Sequence, residues 1–139
     1  MRPEDVNAEI IVADDARGTG RGPVTTLRLS WRRPDPLAVR LSVASRPDHP
    51  SLPSGEWVVL RDSLRRGLHE PTGQGDVQIE PEADDLVSLR LVREGRSTWA
   101  VVAAGPVREF LDRTEAWVAI GDERSEDAVD TLIEALLRA

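Results

Sequence analysis

Residues 56–81 read EWVVLRDSLRRGLHEPTGQGDVQIEP: a strand, a helical turn, a glycine-punctuated loop and a second strand in one short span. Trp57 to Leu60 is apolar at four successive positions, the pattern of a strand covered on both faces. After Arg61 ends the strand, Asp62 is placed to cap one helical turn, Ser63 to Arg66, and Gly67 to close it in the left-handed conformation. Leu64 and Leu68, four apart, would pin that turn to the core. Pro71-Thr72-Gly73 suits a type I turn with Pro second and Gly fourth. Gly75 permits a bulge or an unusual backbone angle before Asp76-Val77 resumes a strand, where Val77 and Ile79 alternate with Gln78 and Glu80.

The same two-residue period runs upstream. Glu9 to Ala13 reads as a first strand. In Val24 to Trp31, Leu27, Leu29 and Trp31 share one face, and Thr26, Arg28 and Ser30 the other. Arg32 to Pro36 turns the chain, and Val39, Leu41 and Val43 form the inward face of a third strand. The loop from Ser45 to Gly55 holds three prolines. Downstream, Leu86 to Val92 and Thr98 to Ala103 form a hairpin turning at Arg93-Glu94-Gly95-Arg96.

The period then changes to 3.6. Gly105-Pro106 opens a helix with Pro at its first position, Val107, Phe110, Leu111 and Thr114 on one face, and Glu109 spaced to pair with Arg113. A last helix has Ser125 as N-cap, Glu126 and Asp127 in its first turn and Arg138 in its last. Val129, Leu132, Ile133 and Leu136 form its apolar stripe. Strands first and helices afterwards predict a single α+β domain over residues 1–139. Its expected form is a curved, mostly antiparallel sheet of about seven strands carrying two C-terminal helices.

Composition narrows the chemistry. The 139 residues include no cysteine, which excludes disulfides and thiolate metal sites. The aromatic fraction is 4%, so aliphatic side chains make most of the core. All 18 basic residues are arginine, a bias that GC-rich codon usage accounts for, and the net charge of −7 disfavours non-specific binding to anionic polymers. No apolar run reaches about 18 residues, and the acidic N-terminus does not suit a signal peptide, so a cytoplasmic protein without membrane insertion is expected.

No catalytic or cofactor set emerges. A phosphate loop requires a lysine that the chain lacks, and Gly73-x-Gly75 precedes a strand, whereas a dinucleotide fingerprint opens a helix. Ser63, His69 and Asp76 supply triad residue types without a nucleophile-elbow context. His49 and His69 lack metal-ligand spacing. Arg32-Arg33 and Arg65-Arg66 are the only basic clusters that could hold an anionic substrate. The expectation is a protein that is not an enzyme and uses no cofactor or metal.

The central segment resembles the SsgA-like family of sporulation and cell-division proteins of actinomycetes. The family pattern of W-V, R-x-L-L-x-x-G-L and P-x-G-x-G-D-V is similar to Trp57-Val58, then Arg61-Asp62-Ser63-Leu64 with Gly67-Leu68, then Pro71, Gly73 and Gly75-Asp76-Val77. Leu27 to Trp31, Asp35 to Val39 and the Phe110-Leu111-x-Arg113-Thr114 helix extend the likeness over roughly residues 8–137. Leu37 and Trp31 stand where the family usually has Tyr, and Ser63 where it has Leu. The Gly67-Leu68-His69 run with Pro71-Thr72-Gly73 looks most like the SsgB type.

The resemblance implies a fold similar to the Whirly-type single-strand-binding fold, assembled as a homotrimer. It also implies a scaffold that selects septum sites by recruiting FtsZ, together with SsgA-type division proteins. The motif residues would then be structural or partner-binding. A single-stranded nucleic-acid binder is the competing reading, suggested by the fold likeness, 18 arginines and four tryptophans. Against it stand the acidic balance and the placement of Trp57 and Trp99 on apolar strand faces.

Overall fold

The computed structural model describes residues 5–13, 24–50, 52–73, 75–123 and 126–138, with the backbone alone at 126–129 and 131. Seven strands are present: β1 (Asp5–Ala13), β2 (Val24–Arg32), β3 (Asp35–Val43), β4 (Gly55–Leu60), β5 (Val77–Pro81), β6 (Leu86–Arg93) and β7 (Arg96–Ala103). They form one sheet in the order β4-β3-β2-β1-β7-β6-β5, with every neighbouring pair antiparallel. Three helices accompany it: α1 (Arg61–Arg66), α2 (Ala104–Glu115) and α3 (Glu126–Arg138).

Alternation decides which side chains enter the core. Leu27, Leu29 and Trp31 of β2 are buried together with Val39, Leu41 and Val43 of β3, as the two-residue period predicts. Leu64, Leu68, Val107, Phe110 and Leu111 join the same core, so α1 and α2 fill the inner side of the curved sheet. The hairpin of β6 and β7 turns through Glu94 and Gly95, with φ of 52° and 76°, the geometry of a two-residue connection that favours right-handed twist.

Several expectations are corrected. Asp62 lies inside α1 and faces Arg66 at 3.5 Å; Leu60 occupies the N-cap without a side-chain bond. Gly67 is right-handed, with φ −63° and ψ −15°. Its requirement is space: a Cβ there would lie 2.4 Å from Cγ2 of Ile79. In place of a type I turn at Pro71-Thr72-Gly73, Thr72 bridges Ile79 through two backbone hydrogen bonds, each 2.8 Å. Pro106 is the third residue of α2, not the first. Arg113 donates to the Asn7 carbonyl at 3.1 Å, not to Glu109.

The last helix is rolled relative to expectation. Ala135 is buried and Leu132 half-buried, whereas Ile133 and Leu136 are exposed. The inner side is already occupied, so α3 lies over the outer face of β3, where Ala135 borders a small pocket with Ser30, Pro34 and Ala38. The Ser125 cap and the side chain of Val129 lie outside the described residues.

Candidate partner-binding cleft

The curved sheet does not close. β4 and β5 end the strand order, and no backbone hydrogen bond joins them among the described residues. Between them runs a cleft of about 1000 Å³. Side chains bridge its start: Trp57 Nε1 donates to the Val92 carbonyl at 2.9 Å, and Arg93 Nη1 donates to the Glu56 carbonyl at 3.2 Å. Trp57, Val77 and Ile79 form the floor, Leu60 and Leu136 add apolar surface, and carboxylates predominate around the rim.

β4 is therefore an edge strand, and its outer face is only partly covered. Trp57 and Val59 are buried, Val58 is half-buried, and Leu60 is 41% exposed. The four-residue apolar run that predicted burial on both faces instead supplies a core face and a cleft wall. The edge of β5 is less open, since Thr72 takes both backbone groups of Ile79. Gly73 makes that approach possible: with φ of 106°, a Cβ would meet the Val77 carbonyl oxygen at 2.5 Å.

The motif residues divide into two groups. Trp57, Pro71, Gly73, Asp76 and Val77 line the cleft. Arg61, Asp62, Leu64, Gly67, Leu68 and Gly75 do not line it. Gly75 has φ of 79° with open space around its Cβ position, so its use is conformational.

Arg61 is the unexpected member of the second group. Its side chain is 0% exposed, yet it carries a charge. Nη2 reaches Glu123 Oε1 at 2.5 Å and Nη1 reaches Thr114 Oγ1 at 3.3 Å, while the guanidinium stacks 5.2 Å from the Trp31 ring centroid. Burial tends to raise the Glu123 carboxyl, but hydrogen bonds from Arg61 and from the Gly121 amide outweigh it and hold the group below its ordinary value. The pair ties the end of β4 to α2 and to the segment after it. Sequence alternation contains the signal: with Trp57 and Val59 inward, Arg61 falls on the same side.

Arg65 makes a second link to α2 through Asp112, at 2.7 Å, and Glu115. Burial works against its charge, and the two carboxylates more than compensate, raising its pKa. Both basic clusters are thus engaged internally: Arg32 faces Asp5, Arg33 stacks over Trp117, Arg65 holds α2, and Arg66 faces Asp62. Ser63 and Asp76 line the cleft without His69, and His49 contacts Asp48. Among the described residues no three His, Asp or Glu side chains form a metal-binding group. Trp57 is buried as expected, but Trp99 is 39% exposed, because it sits on the outward face of β7 opposite Arg90.

Comparison with known proteins adds family context. Residues 25–123 match the family described as Streptomyces sporulation and cell division protein, SsgA. The chain is 35% identical over 147 aligned residues to the sporulation-specific cell division protein SsgB of Salinispora tropica, covering 99% of this chain and 96% of that protein. It is 31% identical to SsgB of Thermobifida fusca, over 93% of this chain and 89% of the relative. The match to SsgB of Kineococcus radiotolerans, at 39% identity, spans about half of each protein, 59% and 53%.

Two solved structures share the fold. The SsgA-like sporulation-specific cell division protein of Thermobifida fusca superimposes with a TM-score of 0.71 at 26% identity, covering all of both chains. An SsgB structure from work on Streptomyces coelicolor sporulation gives the same score at 27% identity, over 85% of this chain and 91% of that one. With its motif order, seven-stranded sheet and full-length relatives in agreement, the chain belongs to the SsgA family of sporulation and cell division proteins.

Proposed function

We propose that this protein is a non-enzymatic scaffold of sporulation-linked cell division, which selects septum sites by recruiting FtsZ and other division proteins. The observation that carries this reading is the placement of the motif. Five of its residues converge on an open cleft between two sheet edges, a surface suited to holding a protein segment. The names of the relatives, sporulation-specific cell division proteins, support a role in division. Among the described residues no helix is long and apolar enough to cross a membrane.

The protein acts as a homotrimer in this reading. Exposed Ile133 and Leu137 on α3, the latter 81% exposed, give self-association an apolar surface outside the cleft. Light scattering after size exclusion should return the mass of three chains; a monomer at about 10 μM or above would contradict the trimer.

The direct assay of recruitment is light scattering or co-sedimentation of purified FtsZ with this protein. A complex is expected. Absence of binding where a positive-control partner binds would overturn the reading. Nucleic acid is the weaker alternative. It draws on exposed Trp99 and on Trp117 beneath Arg33, 5.4 Å from the ring centroid, and a salt-sensitive shift of labelled single-stranded DNA would revive it.

A further inference from the structure

The open edge of β4 has both a backbone and a charge pattern, and together they specify an occupant. The Glu56 carbonyl faces the cleft, where Arg93 reaches it. Backbone direction alternates along a strand, so Val58 also turns its N–H and C=O toward the cleft, while Trp57 and Val59 turn theirs toward β3. Val58 makes no backbone bond across the cleft among the described residues. An unpaired strand edge of this kind is a template for an added strand.

Side-chain alternation then sets what that strand must carry. Trp57, Val77 and Ile79 point inward and are buried at the base of the cleft, so that base is apolar. Glu56, Asp76 and Glu80 occupy the opposite, outward positions, and Glu70 and Glu94 complete the rim. Five carboxylates thus border the cleft against two arginines, Arg66 and Arg93. Both arginines already have partners, Asp62 and the Glu56 carbonyl.

We infer that the cleft binds an extended segment of a partner protein, added as a strand along β4, in which small apolar residues alternate with basic ones. The apolar residues face the floor and the basic residues face the acidic rim. The backbone of Val58 supplies the pairing hydrogen bonds. This deepens the scaffold reading and rests on it, by giving the recruited partner a chemistry and a docking strand.

Fluorescence anisotropy of the full chain with a labelled peptide of about eight residues, alternating Val and Arg, tests the inference. Binding is expected to weaken several-fold between about 50 mM and about 300 mM salt, because the rim charges are solvent-exposed. An alternating Val–Glu peptide should bind at least about tenfold more weakly, and a backbone-methylated Val–Arg peptide likewise, since it cannot pair. Val58→Pro removes a donor aimed at the cleft and leaves the bonds to β3 intact. It should keep a native circular dichroism spectrum and melt and lose most of the binding. Glu80→Arg, at an outward position, should weaken the basic peptide at least about fivefold with no change in fold.

Several results would overturn the inference: no binding of the basic peptide, equal binding of the acidic one, preference for single-stranded DNA, or full binding by a folded Val58→Pro variant. A change in oligomeric mass in Val58→Pro, with peptide binding unchanged, would assign the edge to a second copy and also overturn it. If Val58→Pro and Glu80→Arg still bind FtsZ normally, this docking site is wrong while the recruiting function stands. If the wild-type chain fails to bind FtsZ yet binds the basic peptide, the reverse holds.

Discussion

Replacing Arg61 with Met keeps a long side chain of similar volume but removes the charge at the centre of the fold. Three contacts are lost: the 2.5 Å ion pair to Glu123, the bond to Thr114 and the stacking over Trp31. The larger consequence is what stays behind, a buried Glu123 carboxylate held only by the backbone amides of Gly121 and of Glu123 itself. Breaking a buried pair by removing one partner costs about 3–5 kcal/mol, a large share of the roughly 5–15 kcal/mol that holds a domain together.

Urea denaturation of the wild type, Arg61→Met, Glu123→Gln and the double variant reads this directly. Glu123→Gln retains an acceptor for Arg61 and should cost less, about 1.5–3 kcal/mol. The double variant should cost less than the sum of the single ones, by about 2 kcal/mol, because the second change removes the group that the first had stranded. Acid supplies an independent check. The folded-state pKa of Glu123 is depressed, so its stabilisation is present above the ordinary carboxylate value and lost as pH falls through the lower folded value. In Arg61→Met that contribution is absent, so the gap between wild type and variant should narrow on acidification. A variant within about 0.5 kcal/mol of wild type, or a gap constant with pH, would show that the Arg61–Glu123 pair does not hold the fold.

Other perturbations probe separate parts of the fold. Gly67→Ala should destabilise by about 1–3 kcal/mol in a thermal melt, since the added methyl enters the space of Ile79 despite a helical backbone that alanine ordinarily favours. Trp57→Ala should cost about 3–5 kcal/mol and lower the soluble yield, because it empties the cleft floor and removes the bond to Val92. Asp35 has the opposite pH sign to Glu123. Burial raises its pKa against the pull of Arg40 and Arg32, so stability tied to its proton is lost as pH rises through the folded value. Asp35→Asn should therefore raise the melting temperature at pH 7 and leave it little changed at pH 3.

Much of the architecture is legible in the sequence because alternation maps directly onto burial. Leu27, Leu29 and Trp31 were expected to share a face, and they do. The Glu94-Gly95 turn and the buried face of α2 follow equally from local pattern. What local pattern does not reveal is which elements become edges. The apolar run at Trp57 to Leu60 reads as doubly covered until the strand order places β4 at the rim. The roll of α3 depends on the inner side having been filled by α1 and α2. Gly67 is required by crowding from Ile79, a contact that only the tertiary fold creates.

The cleft was legible only in part. Gly73 and Asp76 stand out in the sequence, but the open edge of β4 opposite them does not. Arg61 was singled out as a motif residue, while its partner Glu123 lies 62 positions away, beyond the reach of any spacing argument.

Fluorescent FtsZ imaged in sporulating cells of the source organism, with and without this chain, tests the proposed recruitment. Deletion is expected to abolish regularly placed FtsZ assemblies and septa, and the wild-type chain to restore both. Normally spaced FtsZ assemblies and septa in the deletion strain would contradict the recruitment.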